Sequence, residues 1–128
     1  MVTLINARAT KIEVVNNLTE SGEISIDTVN EFNVNYAEDG EHCRGILRTG
    51  FKTHVQPEML TVSCTVVGEF GTQKIASDED KKKIHVECYN KLFPYAQALV
   101  SRLCTDAGLP PFFIQPIEMK EENVVITD

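Results

Sequence analysis

Tryptophan is absent from this chain, and six phenylalanines and three tyrosines are its whole aromatic complement. Any cluster of rings must be assembled from that small set, so each ring is informative. Positive charge is also short, with 12 lysines and arginines against 19 aspartates and glutamates and a formal net charge of −7. Binding to phosphates draws on Lys and Arg to neutralise them and release counterions, so nucleic acid is not an expected partner. No apolar run approaches the ~20 residues that cross a bilayer, and no basic segment followed by an apolar one opens the sequence. No membrane insertion is expected, and the expected location is the cytoplasm. A Gly-rich phosphate loop, an internal repeat and a low-complexity tract are missing too. His85 and Cys88 lie three apart, but structural zinc needs four converging ligands and no second spaced pair appears, so neither a metal nor any other cofactor is expected.

What is present suits one domain over residues 1–128. A chain of this size buries roughly two thirds of its unfolded surface and supports one core, and its apolar content is 42%. Cys43, Cys64, Cys88 and Cys104 are widely spaced in a chain that needs no staples, and buried free thiols are the expectation.

Alternation is clearest over residues 43–55, where Cys43, Leu47, Phe51 and Val55 share one parity and His42, Arg44, Arg48, Lys52 and His54 the other. Leu60, Val62, Cys64, Val66 and Phe70 repeat the pattern, and Gln56-Pro57-Glu58 predicts a tight connection between two antiparallel strands. Ile24, Ile26, Phe32, Val34 and Tyr36 predict another strand, ended by Glu38-Asp39-Gly40. Residues 4–15 carry apolar side chains on both parities, as a strand covered on both faces would. Ser77 with Asp80 three residues later reads as a helix start, and Ile84, Cys88, Leu92, Ala96, Leu99 and Leu103 follow at helical spacing. Pro94 predicts a kink or a fresh helix near Phe93, Gly108 a left-handed stop, and Pro110-Pro111 bar continuation. The expected fold is α+β: a four-stranded antiparallel sheet, then a long kinked helix, then an extended tail whose residues 118–128 are mobile.

Most chemically suggestive groups have plainer explanations. His42-Cys43 puts a base beside a nucleophile, yet neighbours on a strand point to opposite faces. The carboxylates cluster at turns and the helix start, where capping and solubility account for them, and Lys81-Lys82-Lys83 reads as a solvated turn. Asn17-Leu18-Thr19 fits the glycosylation pattern, which a cytoplasmic chain does not use. Phe112-Phe113 differs, because large apolar rings flanked by prolines on a loop often mark an interface or ligand groove.

The stretch Leu92-Phe93-Pro94-Tyr95-Ala96, then Leu99-Val100-Ser101-Arg102, Gly108-Leu109-Pro110-Pro111 and Gln115-Pro116-Ile117, resembles the C-terminal half of SecB, the bacterial chaperone that holds secretory proteins unfolded for export. Gly68 and Phe70 are similar to a Gly-Gly-Ile-Phe segment at the end of that family's last strand. The resemblance implies a four-stranded antiparallel sheet followed by helices, a dimer or tetramer, and apolar grooves for unfolded polypeptide clients. On that footing Leu47, Phe51, Val62, Val66, Phe112 and Phe113 are expected to line or border the client groove. Leu92, Phe93, Tyr95 and Leu99 are expected at the helix or oligomer contact.

Two departures bear on the role. SecB's first strand supplies carboxylates that dock the SecA motor; here Lys11-Ile12-Glu13-Val14-Val15-Asn16 offers only Glu13, near Arg44, Arg48 and Lys52, so SecA docking is expected to be weak or absent. SecB also continues into another helix, whereas Val124-Val125-Ile126 favours extended structure. Protection of an antitoxin by a SecB-like chaperone is an alternative role. A hot-dog acyl thioesterase is the alternative from another class, though its helix follows an early strand, and no enzyme is expected.

Overall fold

The computed structural model describes residues 2–19, 24–54 and 59–124. Four antiparallel strands, β1 (Val2–Asn16), β2 (Ile26–Tyr36), β3 (His42–Thr53) and β4 (Leu60–Thr72), all precede one helix, α1 (Asp78–Asp106). The α+β reading therefore holds, and the helix does not follow an early strand as in a hot-dog fold. Spatial order is β1-β4-β3-β2, so the first two strands are the two edges of the sheet. Gln56-Pro57-Glu58, Val55, Val125 and Ile126 lie outside the described residues.

The alternating pattern does what period two demands. Cys43, Leu47 and Phe51 of β3 and Leu60, Val62, Cys64, Val66 and Phe70 of β4 face α1 and are buried. Burying one such large aliphatic side chain contributes about 1.5–3 kcal/mol. Gly45 and Gly68 stand directly opposite each other. A Cβ on Gly68 would come within 2.9 Å of Leu92 and Phe70, and one on Gly45 within 3.2 Å of Phe32 and Phe70. The two bare positions make the room in which those side chains meet.

On β1 the apolar residues of mixed parity have a different cause from the one expected. Register shifts between Leu4 and Asn6 and again between Ala9 and Lys11 insert an extra residue twice, and each bulge reverses which parity faces inward. Leu4 opposite Phe70, Ala9 opposite Val66, Ile12 opposite Cys64 and Val14 opposite Val62 thus share the helix side. The strand is not covered on both faces. Ile24, expected within β2, precedes it and is exposed.

Ser77 caps α1 as read: its hydroxyl accepts from the Asp80 amide at 3.2 Å, and the Asp80 carboxylate accepts from the Ala76 amide at 3.0 Å. The helix runs as one element through Pro94 rather than restarting near Phe93. Proline has no amide proton to give to the preceding turn, and buried Leu92, Phe93 and Ala96 hold the segment against the sheet. Gly108, at φ +81°, ends the helix, and the Leu109 amide returns to the Cys104 carbonyl at 2.8 Å. The following segment folds back over α1. Gln97 donates to the Ile114 carbonyl, and the Ile117 amide donates to the buried Tyr89 hydroxyl, each at 2.8 Å. Beyond it a short 3-10 turn, Glu121–Asn123, leads to buried Val124.

Candidate functional site

Where α1 ends at Gly108, the chain turns away over the ends of β2, β3 and β4 and leaves an open groove of about 700 Å³. Leu18 and Ile24 from the β1–β2 connection, Ile26, Phe51, Leu109 and Phe112 supply its apolar wall. Phe112 sets its ring edge-on to Phe51, centroids 4.9 Å apart, which holds the Pro110-Pro111 loop over the sheet. Asn16 closes one end by donating to the Ala107 carbonyl at 2.9 Å. Among the described lining residues there is no carboxylate, no histidine and no basic group. The single thiol, Cys104, has its pKa raised by burial, partly offset by the Phe112 amide. Such a wall takes up apolar side chains by desolvation and leaves backbone polar groups of a ligand to the rim. A second cleft of about 410 Å³, beside Tyr36, Gly40, Ile75 and Lys81, is more polar.

The residues expected at the groove separate into three groups. Phe51 and Phe112 meet there. Leu47, Val62 and Val66 do not line it: all three are sealed in the core under α1, because inward-facing positions in the middle of the two central strands are those the helix covers best. Phe113 is 62% exposed and points elsewhere. Leu92 and Phe93 are core residues, Leu99 is partly buried against the core, and Tyr95 is 55% exposed on the outer side of α1. Leu18, Ile24 and Leu109 were not among the residues expected at the groove: Leu18 lies in a connection without periodicity, Ile24 read as a strand residue, and Leu109 read only as part of the family motif. Their signal was only the presence of large aliphatic residues next to turn residues.

At the β1 edge a second apolar surface appears. Ile12 and Val14 face the helix side yet remain 49% and 42% exposed. On the opposite face Glu13 is bridged to Lys11 at 3.2 Å, Arg44 and Arg8 both reach Glu69, at 2.7 and 3.6 Å, and Arg48 reaches Glu31 at 3.3 Å. The sole acid of the 11–16 stretch is thus already paired, on a face where bases and acids alternate.

No metal-binding cluster of His, Cys, Asp or Glu occurs among the described residues, and none of their helices is long and apolar enough to cross a membrane.

Residues 26–121 match the family model described as preprotein translocase subunit SecB. The chain is 32% identical to the protein-export protein SecB of Thiobacillus denitrificans over 48% of its own length and 41% of the relative's. It is 30% identical to that of Neisseria meningitidis serogroup C over 79% of its length and 69% of the relative's. With Caulobacter vibrioides SecB the match, 39% identical, spans only 31% of the relative. Among solved structures, a SecB-like chaperone of Mycobacterium tuberculosis in complex with a peptide from the HigA1 antitoxin superposes with a TM-score of 0.72, covering 91% of this chain and 90% of the other at 13% identity. Four strands followed by one long helix, the Leu-Phe-Pro-Tyr segment on that helix and the family match running from β2 through that helix lead to one assignment: the chain belongs to the SecB family.

Proposed function

We propose that this protein is a holdase that takes extended, apolar segments of unfolded polypeptides into the groove between the sheet end and the Pro110-Pro111 loop, in the cytoplasm and without nucleotide. The observation that carries the reading is the groove wall: an open apolar trough bounded by loops, with an aromatic pair at its base and no charged side chain among its described residues. Apolar surface of this kind costs solubility unless something uses it. SecB relatives bear a protein-export name, and the Mycobacterium structure of the same fold holds an antitoxin peptide. Both export clients and a single antitoxin client are accommodated by such a wall.

Self-association belongs to the same proposal. Ile12 and Val14 are inward-facing residues that α1 does not reach, and β1 also presents an unpaired backbone edge. A second copy of this strand would cover both, giving a dimer or a dimer of dimers. Docking to SecA through the outer face is expected to be weak, because Glu13 is spent on Lys11 and Arg44 and Arg48 stand nearby.

Aggregation of a slowly refolding test protein, followed by light scattering with this chain in molar excess, tests the holdase reading. Suppression is expected, together with its loss in Ile24→Glu, which charges an exposed groove residue outside the sheet and leaves the thermal midpoint nearly unchanged. No suppression by the native protein, or equal suppression by the variant, overturns the groove assignment. Clients recovered from the native host then separate export from antitoxin protection.

A further inference from the structure

Two of the four cysteines meet, and nothing in the chaperone reading uses them. Cys43 on β3 faces inward and Cys88 on α1 faces it, their Sγ atoms 3.7 Å apart although 45 residues separate them in the chain. A disulfide bond is about 2 Å long, so the sulfurs must approach by less than 2 Å, a distance side-chain rotation can supply. Access is asymmetric. Cys43 contributes to the wall of a surface cleft of about 230 Å³ with Tyr36, His42, Arg44 and Glu69, whereas Cys88 has no exposed surface.

The other two thiols provide the contrast. Either sulfur can donate across this contact, and the hydrogen bond from Cys88 holds the Cys43 pKa below the ordinary thiol value against opposing burial and the Glu69 charge. Holding its proton in that hydrogen bond to Cys43 and being buried push Cys88 up. Burial raises Cys64 to about 11 and raises Cys104 as well. Thiolates, not thiols, react with peroxides and disulfides, so one cysteine of the four is both favoured as an anion and part of the wall of a surface cleft.

We propose that Cys43 and Cys88 form a reversible dithiol–disulfide site, oxidised by small peroxides through the cleft at Cys43, which covalently ties β3 to α1. The Cys43 thiolate attacks the terminal peroxide oxygen, and the O–O bond breaks. The leaving oxygen takes a proton as water or alcohol, and Cys43 becomes a sulfenic acid. Cys88 then gives up its proton and attacks that sulfur; the S–O bond breaks, and the hydroxide leaves with the proton as water. Two thiols are oxidised by two electrons, the peroxide is reduced by the same two, and a dithiol reductant reverses the link.

The test treats the folded, full-length protein with hydrogen peroxide and maps its peptides. Expected are the loss of two of the four thiols, a mass lower by about 2 Da for the two hydrogens removed, one intramolecular link between the Cys43 and Cys88 peptides, and full reversal by dithiothreitol. Cys88→Ala should stop at a Cys43 sulfenic acid that a dimedone probe traps. If that variant does not fold, Cys64→Ala with Cys104→Ala, which keeps only the pair, should still form the link at the native rate. Links that include Cys64 or Cys104, links between chains, or oxidation no faster than global unfolding would overturn the proposal.

Discussion

The two edges of the sheet, strands of 15 and 11 residues, end up in opposite circumstances. On β2 the inward apolar residues are partly covered: Phe32 packs edge-on to His85 and Tyr89 at 5.0 and 5.4 Å, and the Tyr36 hydroxyl donates to the Lys81 carbonyl at 2.9 Å. Its exposed residues, among them Asp27, Glu31, Asn33 and Asn35, are polar. On β1 the inward residues Ile12 and Val14 are bare. A helix is about 10 Å wide, while the outer strands of a four-stranded sheet stand roughly 14 Å apart before their side chains are counted. One helix cannot cover four strands, so α1 favours one edge and leaves part of the other exposed. The difference marks the β1 edge as the place where the proposed self-association is to be sought.

The comparison breaks most severely at Tyr89, whose ring touches Phe32 and Phe93 and whose hydroxyl accepts from Ile117. Tyr89→Ala should destabilise the fold by about 3–5 kcal/mol in urea titration, as large-to-small aromatic core changes do, and should loosen the segment that crosses α1. Next in size is the β1 edge. Ile12→Lys with Val14→Lys buries two charges in any interface there, at roughly 2 kcal/mol or more each, and light scattering should report a monomer. Asn33→Lys with Asn35→Lys on β2 should leave the assembly mass unchanged; dissociation by both pairs, or by neither, would erase the distinction between the edges.

Cys64 sharpens the comparison through pH, since it stands opposite Ile12 in the middle of the β1 side. Burial raises its folded pKa from 9.0 to about 11, so the folded state holds a proton that the unfolded chain releases. Stability from this source is complete below pH 9 and is lost as pH rises toward and through 11. Cys64→Ala should flatten part of the fall in thermal midpoint across that window. The smallest effects belong to the outer face, where the two edges are alike. Arg48 with Glu31 joins β2 to β3, Arg8 and Arg44 with Glu69 join β1 and β3 to β4, and every member of these pairs is exposed except the half-buried Glu69. Arg48→Gln and Arg8→Gln should each cost at most ~1 kcal/mol, less at high salt.

Much of the fold was legible because its determinants are local. Strand alternation in β3 and β4, the Ser77 cap and the Gly108 stop each involve residues within a few positions of one another. The groove was only half legible. Phe112 announced itself as a ring among prolines, but the sequence reading could not separate Phe51, at the strand end, from Leu47, Val62 and Val66, which the helix seals. All four share the same inward pattern, and pattern carries no information about how far a helix reaches.

The chain alone determined which side of each regular strand is apolar, where the helix begins and ends, and its family likeness, since these follow from periodicity, capping and short motifs. Tertiary structure alone decided the rest. Two bulges, visible only in the pairing with β4, turned an ambiguous first strand into a one-sided one. The finite width of α1 selected Ile12 and Val14 for exposure, and the way the helix lies on β3 brought Cys43 to Cys88 across 45 residues. Such outcomes depend on how elements pass one another in space, a relation that neighbouring residues in a sequence do not encode.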